Sequence, residues 1–364
     1  MKVADVVIVG GGPAGSTCAA FCAAAGLRVI LIEREKFPRE KVCGDCVNPA
    51  CLSILQRLGL SDEIQCWPHA VVNAVDFITI GGRKLRADFP AGGARMLTIK
   101  RSIFDDRLLN RAREAGAEIE QETAVSLHKT RDRDWKIDAV RDTFLAQVLV
   151  GADGRNSSVA RLCNLLPRPE RDRIALQANV PLPRDFGSRI VLQFLPEGYS
   201  GQAPVNDREL NLCLVGTART IGSLRSWAEN KFDLPATQQW RTITPLSRAP
   251  IGSAHNDNLF FIGDAARVVE PFTGEGIYYA LRSGELAAKA IVHIIRGGGR
   301  QSAISEFVQA HSAMYRGRLW INQLAREAVL HPRIASTLIR ATAFSAPVLR
   351  CLTRKIVRAP AAPL

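Results

Sequence analysis

A strand, a glycine turn and a helix open the chain in an order that few folds accommodate. Val3 to Val9 is an apolar, β-branched run of strand length; Gly10-Gly11-Gly12-Pro13-Ala14-Gly15 follows, then a small-residue helical stretch to Ala25 and a stop at Gly26. A second apolar run, Val29 to Ile32, ends in Glu33, 18 residues past Gly15. This is the dinucleotide fingerprint in its strand–turn–helix setting. Gly10 permits the tight turn, Gly12 lets the backbone approach a pyrophosphate, and Gly15 lets the helix sit close on the strand. Pro13 and Ala14 open the helix whose unpaired N–H groups face the anion. Glu33, with Arg34 next to it, stands where an acid hydrogen-bonds a ribose hydroxyl. The bland alternative is a glycine-rich turn between ordinary elements.

The fingerprint alone does not separate NAD from FAD. Two later motifs do. Phe144 to Val150 reads as a strand running into Gly151-Ala152-Asp153-Gly154-Arg155, and Leu259 to Ile262 as another running into Gly263-Asp264-Ala265-Ala266. After the second come Pro271-Phe272-Thr273-Gly274-Glu275-Gly276-Ile277 and a long helix from Ile277 to Arg296. Each has the form of a strand delivering an aspartate and small residues to a ligand.

At these residues the chain resembles the FAD-dependent oxidoreductases of the p-hydroxybenzoate-hydroxylase type, and within them the geranylgeranyl reductase family. The likeness rests on Gly10 to Gly15, Lys41-Val42-Cys43-Gly44, the GADG and GDA runs, Ala249-Pro250-Ile251-Gly252 and the PxTGEGI run, spanning residue 3 to about 290. It implies an α/β fold: a Rossmann-like FAD-binding domain, an inserted antiparallel β-sheet substrate domain and a helical C-terminal segment. The corresponding boundaries are 1–70, 98–171 and 250–300 for the cofactor domain, 71–97 and 172–249 for the sheet domain, and 301–364 for the basic helical segment.

The resemblance also implies site residues. Gly263 and Asp264 contact the ribityl or pyrophosphate part of FAD. Pro271, Gly274, Gly276 and Ile277 put a helix N-terminus against the flavin's pyrimidine edge, where its dipole favours the negative charge of a reduced flavin. Asp153 lies near the pyrophosphate, or caps a turn. Arg101 contacts FAD, or is a solvated base ahead of a helix with Ser102 as N-cap and Phe104, Leu108, Leu109 and Ala112 on one face. Tyr199, in Glu197-Gly198-Tyr199-Ser200-Gly201, touches substrate or flavin, or is a β-turn tyrosine.

Cys43 belongs to a loop that reads Lys-Pro-Cys-Gly in geranylgeranyl reductases, with the Cys beside the isoalloxazine; this chain has Val42 in place of the proline and adds Asp45 and Cys46. Three readings stand: a pocket residue or proton donor after hydride transfer, a structural loop residue, and a Cys43–Cys46 redox disulfide. No second CxxC or His pair accompanies it, so no metal is expected. Cys18 and Cys22, four apart in the Ala-rich helix, read as packing thiols.

Between the motifs, Val71 to Phe89 reads as a hairpin about Gly81-Gly82. Strand-like runs follow at Ile174 to Val180, Ile190 to Phe194 and Leu210 to Val215. Leu192, Phe194, Leu195, Leu212 and Leu214 are either an apolar lining or ordinary sheet core. No second glycine fingerprint sits on a strand, since Gly297-Gly298-Gly299 follows a helix and reads as a C-cap or hinge. Electrons are therefore expected from transiently docked NAD(P)H or from a separate redox protein. The Trp-x-Trp element of flavin halogenases is absent, the five Trp lying far apart.

Charge is the one unusual feature of the composition. Forty-eight Lys+Arg against 35 Asp+Glu give +13. From His311 to Leu364 nine basic residues face one acid, Glu327, so that this stretch carries +8 and the body +5. Its basic amphipathic pattern is expected either to dock on an anionic membrane or acidic carrier, or to close the domain with a solvated face. Nucleic acid is not expected, for want of stacking aromatics or a helix-turn-helix. No window holds the roughly 18 apolar residues of a membrane span. With no secretory signal read at the N-terminus, nine Cys point to a reducing cytoplasm, with peripheral membrane contact an option. The expected chemistry is reduction of carbon–carbon double bonds in an apolar, isoprenoid-like substrate. The alternatives are monooxygenation of an aromatic or polyketide-like substrate and a flavin module that only relays electrons.

Overall fold

The computed structural model describes residues 1–320 apart from 90–94, 130–133, 141, 171–172, 256 and 271–273, together with Gln323, Glu327 and Arg333. Its helices in chain order are α1 (Pro13–Ala24), α2 (Leu52–Arg57), α3 (Arg101–Glu114), α4 (Ser158–Leu162), α5 (Ile221–Lys231), α6 (Gly276–Ile295) and α7 (Arg300–Met314). Strand β1 (Lys2–Val9) is central in the first sheet, pairing in parallel with β2 (Val29–Ile32) on one side and Thr143–Gly151 on the other. Glu118–Glu120 extends the sheet beyond β2, and Leu259–Phe261 extends it beyond Thr143–Gly151, both in parallel. The glycine fingerprint, Glu33 and the GADG and GDA runs thus leave the carboxyl ends of adjacent parallel strands, where open α/β sheets bind ligands.

Period-two alternation assigns the two faces of this sheet. Val6 and Ile8 pack with α1, α3 and α6, whereas Val7 and Val9 pack on the opposite face with Trp135, Ile137 and Phe144, from the antiparallel pair Trp135–Ala139 and Thr143–Gly151. The alanines and cysteines of α1 let it approach α6 closely, and Cys18 and Cys22 are fully buried packing thiols. The face Phe104, Leu108, Leu109 and Ala112 of α3 is buried as expected, with Phe104 edge-on to Trp67 at 6.2 Å. Ser102 does not cap this helix: Lys100 holds the N-cap position, and the first turn is anchored by Arg101 instead.

The second sheet has seven strands, with Arg241–Ile243, Ile174–Pro181, Glu209–Gly216, Gly198–Pro204, Arg189–Leu195, Ala74–Ile78 and Lys84–Asp88 adjacent in that order. All neighbours are antiparallel except Arg189–Leu195 with Ala74–Ile78, which run parallel because a long crossover, not a hairpin, joins the two insertions. Tyr199 lies on the fourth of these strands, opposite Phe194 and Val215, and not in a turn. One face of the sheet carries Ile190, Leu192, Tyr199 and Val215. Leu195, Leu212 and Leu214 point the other way, into a core with α5, so they line nothing. A small third sheet pairs Cys46–Val47 and Ala70–Val72 with Met96–Thr98, across the 70/71 and 97/98 boundaries read from the sequence.

A buried ion pair joins the lobes. Arg173, just before Ile174–Pro181, donates to both oxygens of Glu270 at 3.0 and 2.9 Å, and to Ser247 Oγ at 3.0 Å. Removing one partner strands the other charge in the interior, at a cost of about 3–5 kcal/mol. After α6, Gly297 takes φ +81° and Gly299 begins α7, so the three glycines form the expected helix end and bend. No helix among the described residues is long and apolar enough to cross a membrane. Most of the basic stretch after residue 320, on which the expectation of an anionic partner rests, lies outside the described residues.

Candidate functional site

A cavity of about 530 Å³ is lined by both large sheets and collects residues from the glycine fingerprint, the Cys43 loop and the GADG, GDA and PxTGEGI runs. At one end stand Gly10, Gly12, Pro13, Ala14, Glu33 and Arg34. Gly10 takes φ +109°, and a Cβ there would lie 2.5 Å from the Ala152 carbonyl oxygen; one on Gly15 would lie 1.9 Å from that of Gly10. Gly15 therefore serves the close packing of helix on strand and is not on the cavity wall. Gly12 differs. A Cβ on it would meet only Arg39 Nη2, at 3.7 Å, and no side chain caps α1 there. Glu33 is held at the wall by N–H donation from Gly11 at 2.7 Å and from Glu35 at 3.0 Å.

Three cations to which the sequence assigned no role share this end: Arg39, Lys41 and Arg155. Arg155 Nη2 donates to Asp264 at 3.0 Å, while its buried Nε and Nη1 have no hydrogen-bond acceptor among the described residues. Buried guanidinium donors, a bare helix N-terminus and a glycine that leaves space beside both suit a pyrophosphate. The residues present fit the dinucleotide that the motifs imply. Burial and then the nearby Arg101, Arg39 and Arg155 bring Lys41 down to about 8. Lys41 thus loses charge as pH rises through that value, and binding a phosphate there takes up a proton. FAD affinity is expected to weaken about tenfold from about pH 7 to about pH 9. Fluorescence titration of FAD binding checks this, with the slope flattened in Lys41→Met.

Asp153, Gly263, Asp264, Gly274, Gly276 and Ile277 also line the cavity; Pro271 lies outside the described residues. Asp153 Oδ2 accepts from Ser158 and Val159 N–H at 2.5 and 3.1 Å, so it helps cap α4 beside the N-cap residue Ser157 while also facing the cavity. Arg101 is not a solvated base. It makes a two-pronged bond to the buried Asp105 at 2.6 and 2.7 Å, joined by Arg39 at 3.1 Å, and reaches the Cys43 thiol.

The Cys43 loop is wedged between this cofactor end and the seven-stranded sheet. Cys43 N–H donates to Gln177 Oε1 at 3.2 Å, and its carbonyl accepts from Asn211 Nδ2 at 2.7 Å. The same Asn211 amide donates to Asp45, whose φ of +58° turns the loop back. Val42 packs in the apolar cluster of Tyr199 and Leu192, filling the place of the absent proline with sheet contacts. Burial pushes the Cys43, Cys46 and Cys213 thiols up, so they are protonated at neutral pH. Burial also raises Asp45 to about 7, which puts a neutral carboxyl next to Cys43 on the acid side of that value. Protonated thiols can give a proton but exchange poorly with disulfides, which need thiolate. Asn211 and Cys213 were not singled out in the sequence, because their meaning depends on contacts more than 160 residues apart.

Beyond the loop the cavity is an apolar chamber walled by Val75, Phe77, Ile190, Leu192, Tyr199 and Val215. Among the described residues, no sheet residue that lines it is charged. Burial, then Glu270, pushes the Tyr199 hydroxyl well up, so it stays a neutral donor.

The family model described as the FAD binding domain matches residues 3–188. Menaquinone reductase of Mycolicibacterium smegmatis is 31% identical over 345 residues, covering 85% of this chain and 81% of that protein. Digeranylgeranylglycerophospholipid reductase of Methanocella arvoryzae is 30% identical over 318 residues, 81% of this chain and 79% of the other. Conditioned medium factor receptor 1 of Dictyostelium discoideum is 29% identical, and the chain spans only 64% of its length. Among solved structures, flavin-dependent brominase Bmp2 superposes with a TM-score of 0.79 at 21% identity, over 100% of this chain and 96% of that one. That likeness speaks for the fold alone.

Proposed function

The chain belongs to the FAD-binding-domain family as a geranylgeranyl-reductase-like, FAD-dependent oxidoreductase, and from that premise we propose that it reduces carbon–carbon double bonds of an apolar, isoprenoid-like substrate. The observation that carries this reading is the continuity of the cavity: a cationic cradle at one end, an uncharged apolar chamber at the other, and Cys43 on the wall between. An aromatic acid or a phenolate would ask for a charged or strongly polar anchor in the chamber. Among the described residues the sheet offers Tyr199, Asn211, Gln202 and the Cys213 thiol.

In this reading Gly12, Arg39, Lys41 and Arg155 hold the pyrophosphate, Glu33 the ribose, and Gly274 to Ile277 the pyrimidine edge. FAD, when bound and reduced, supplies hydride to the double bond. The protein supplies the rest. The chamber excludes water and orients the chain by burial, at roughly 0.8 kcal/mol per buried methylene. Arg101 and Asn211 fix the Cys43 loop from two sides. Cys43 gives the proton, and Tyr199 orients the substrate against the sheet. Electrons enter from NAD(P)H docking transiently or from a redox protein. Oxygen-free turnover on a polyprenyl compound tests the assignment: a product heavier by two hydrogens supports it, and product that forms only with oxygen goes against it.

A further inference from the structure

Glu275 sits between two residues that line the cavity, Gly274 and Gly276, yet its own side chain turns away from it. It is the N-cap residue of α6, 1% exposed, and it makes no side-chain cap. Its carboxylate lies in the helical layer, where Arg318 Nη1 and, at 3.4 Å, the Tyr279 hydroxyl donate to Oε1. Arg318 comes from the turn after α7 and is itself 5% exposed. Tyr315, at the end of α7, stacks on Tyr279 with centroids 4.6 Å apart and fixes the approach of that turn to α6.

A helix N-terminus carries roughly half a positive charge, felt within the first turn. A carboxylate held at the N-cap position, in an interior that screens poorly, would cancel it. We propose that Arg318 sets the reduction potential of the bound flavin by neutralising Glu275, so that the α6 N-terminus stays electropositive toward the flavin. Arg318 is a positioning and charge-compensating residue and touches neither flavin nor substrate. The proposal rests on the placement of the flavin edge against Gly274 to Ile277. It gives the C-terminal turn a direct electrostatic connection to the cofactor.

The test is a spectroelectrochemical titration of the full-length, FAD-loaded protein against a reference dye. Arg318→Met is expected to disfavour the reduced flavin ten- to hundredfold, a fall of about 30 to 60 mV at roughly 30 mV per decade. Glu275→Gln is expected to shift the potential the opposite way. The double variant should return toward wild type, as a pairwise charge effect requires, and Arg318→Lys should stay near it. An unchanged potential in Arg318→Met with FAD still bound overturns the proposal. Should Arg318→Met not fold, an unchanged potential in Glu275→Gln does the same. If wild type binds no FAD, or binds it regardless of substitution at Gly12, the site reading fails instead of the charge pairing.

Discussion

Gly12→Asp is expected to yield a folded, colourless protein. The backbone at residue 12 has φ −72° and ψ −177°, extended values that any residue adopts, and a new Cβ meets only Arg39 Nη2 at 3.7 Å. Aspartate is moreover a favoured N-cap, so α1 loses nothing. What it takes away is the open cradle. Its carboxylate occupies the space for the pyrophosphate, competes for the Arg39 guanidinium and repels the phosphates. Like charges so placed cost several kcal/mol. Taking about 4 kcal/mol, FAD affinity drops roughly a thousandfold, with melting temperature in the absence of FAD unchanged. Gly15→Ala should do the reverse and damage the fold itself, because its Cβ would sit 1.9 Å from the Gly10 carbonyl. Isothermal titration with FAD, alongside thermal melting of both variants, separates a binding glycine from a packing glycine.

The second large effect is expected at Cys43. Cys43→Ala should bind FAD and accept electrons as wild type does, while product formation falls by about 10²–10³-fold, the scale of a lost general acid. The thiol lies on the cavity wall and is protonated at neutral pH, as a donor must be. Tyr199→Phe serves as the comparison, since Tyr199 is another neutral donor on the chamber wall. A near-normal rate there with a raised KM assigns Tyr199 to orientation. Stopped-flow flavin reduction and product formation measured on the same preparations check both. Normal product formation by Cys43→Ala would move the proton donor elsewhere, with Cys213, a protonated thiol on the same cavity wall, next in line by position.

The cofactor half of the molecule was largely legible because its signals are local. Val3 to Gly15 writes strand, turn and helix in consecutive residues, and Gly15 is demanded by the backbone of Gly10 in the same turn. The sheet lobe was legible where alternation was strong, as in Ile190 to Phe194. It was not legible at Gly198–Pro204, whose Gly, Ser, Ala and Pro have low strand propensity; only the neighbours on both sides make it a strand. Which leucines line the chamber was hidden for a related reason. Leu192 and Leu212 look alike in sequence, and pairing register alone sends the first to the cavity and the second to α5. The ion pairs Arg173–Glu270 and Arg318–Glu275 join residues 97 and 43 apart, and neither leaves a pattern in the chain. Arg101 illustrates the same limit: the motif marked it, but only Asp105 and Cys43 show it to be buried and committed.

A single turnover without oxygen tests the central claim most directly. The FAD-loaded protein is reduced stoichiometrically with dithionite and mixed anaerobically with a polyprenyl substrate, while flavin absorbance and product mass are followed together. The account predicts that the oxidised flavin spectrum returns only when substrate is added, with one product molecule heavier by two hydrogens for each flavin reoxidised. A flavin that stays reduced until oxygen is admitted, followed by a product that has gained an oxygen atom, would contradict it.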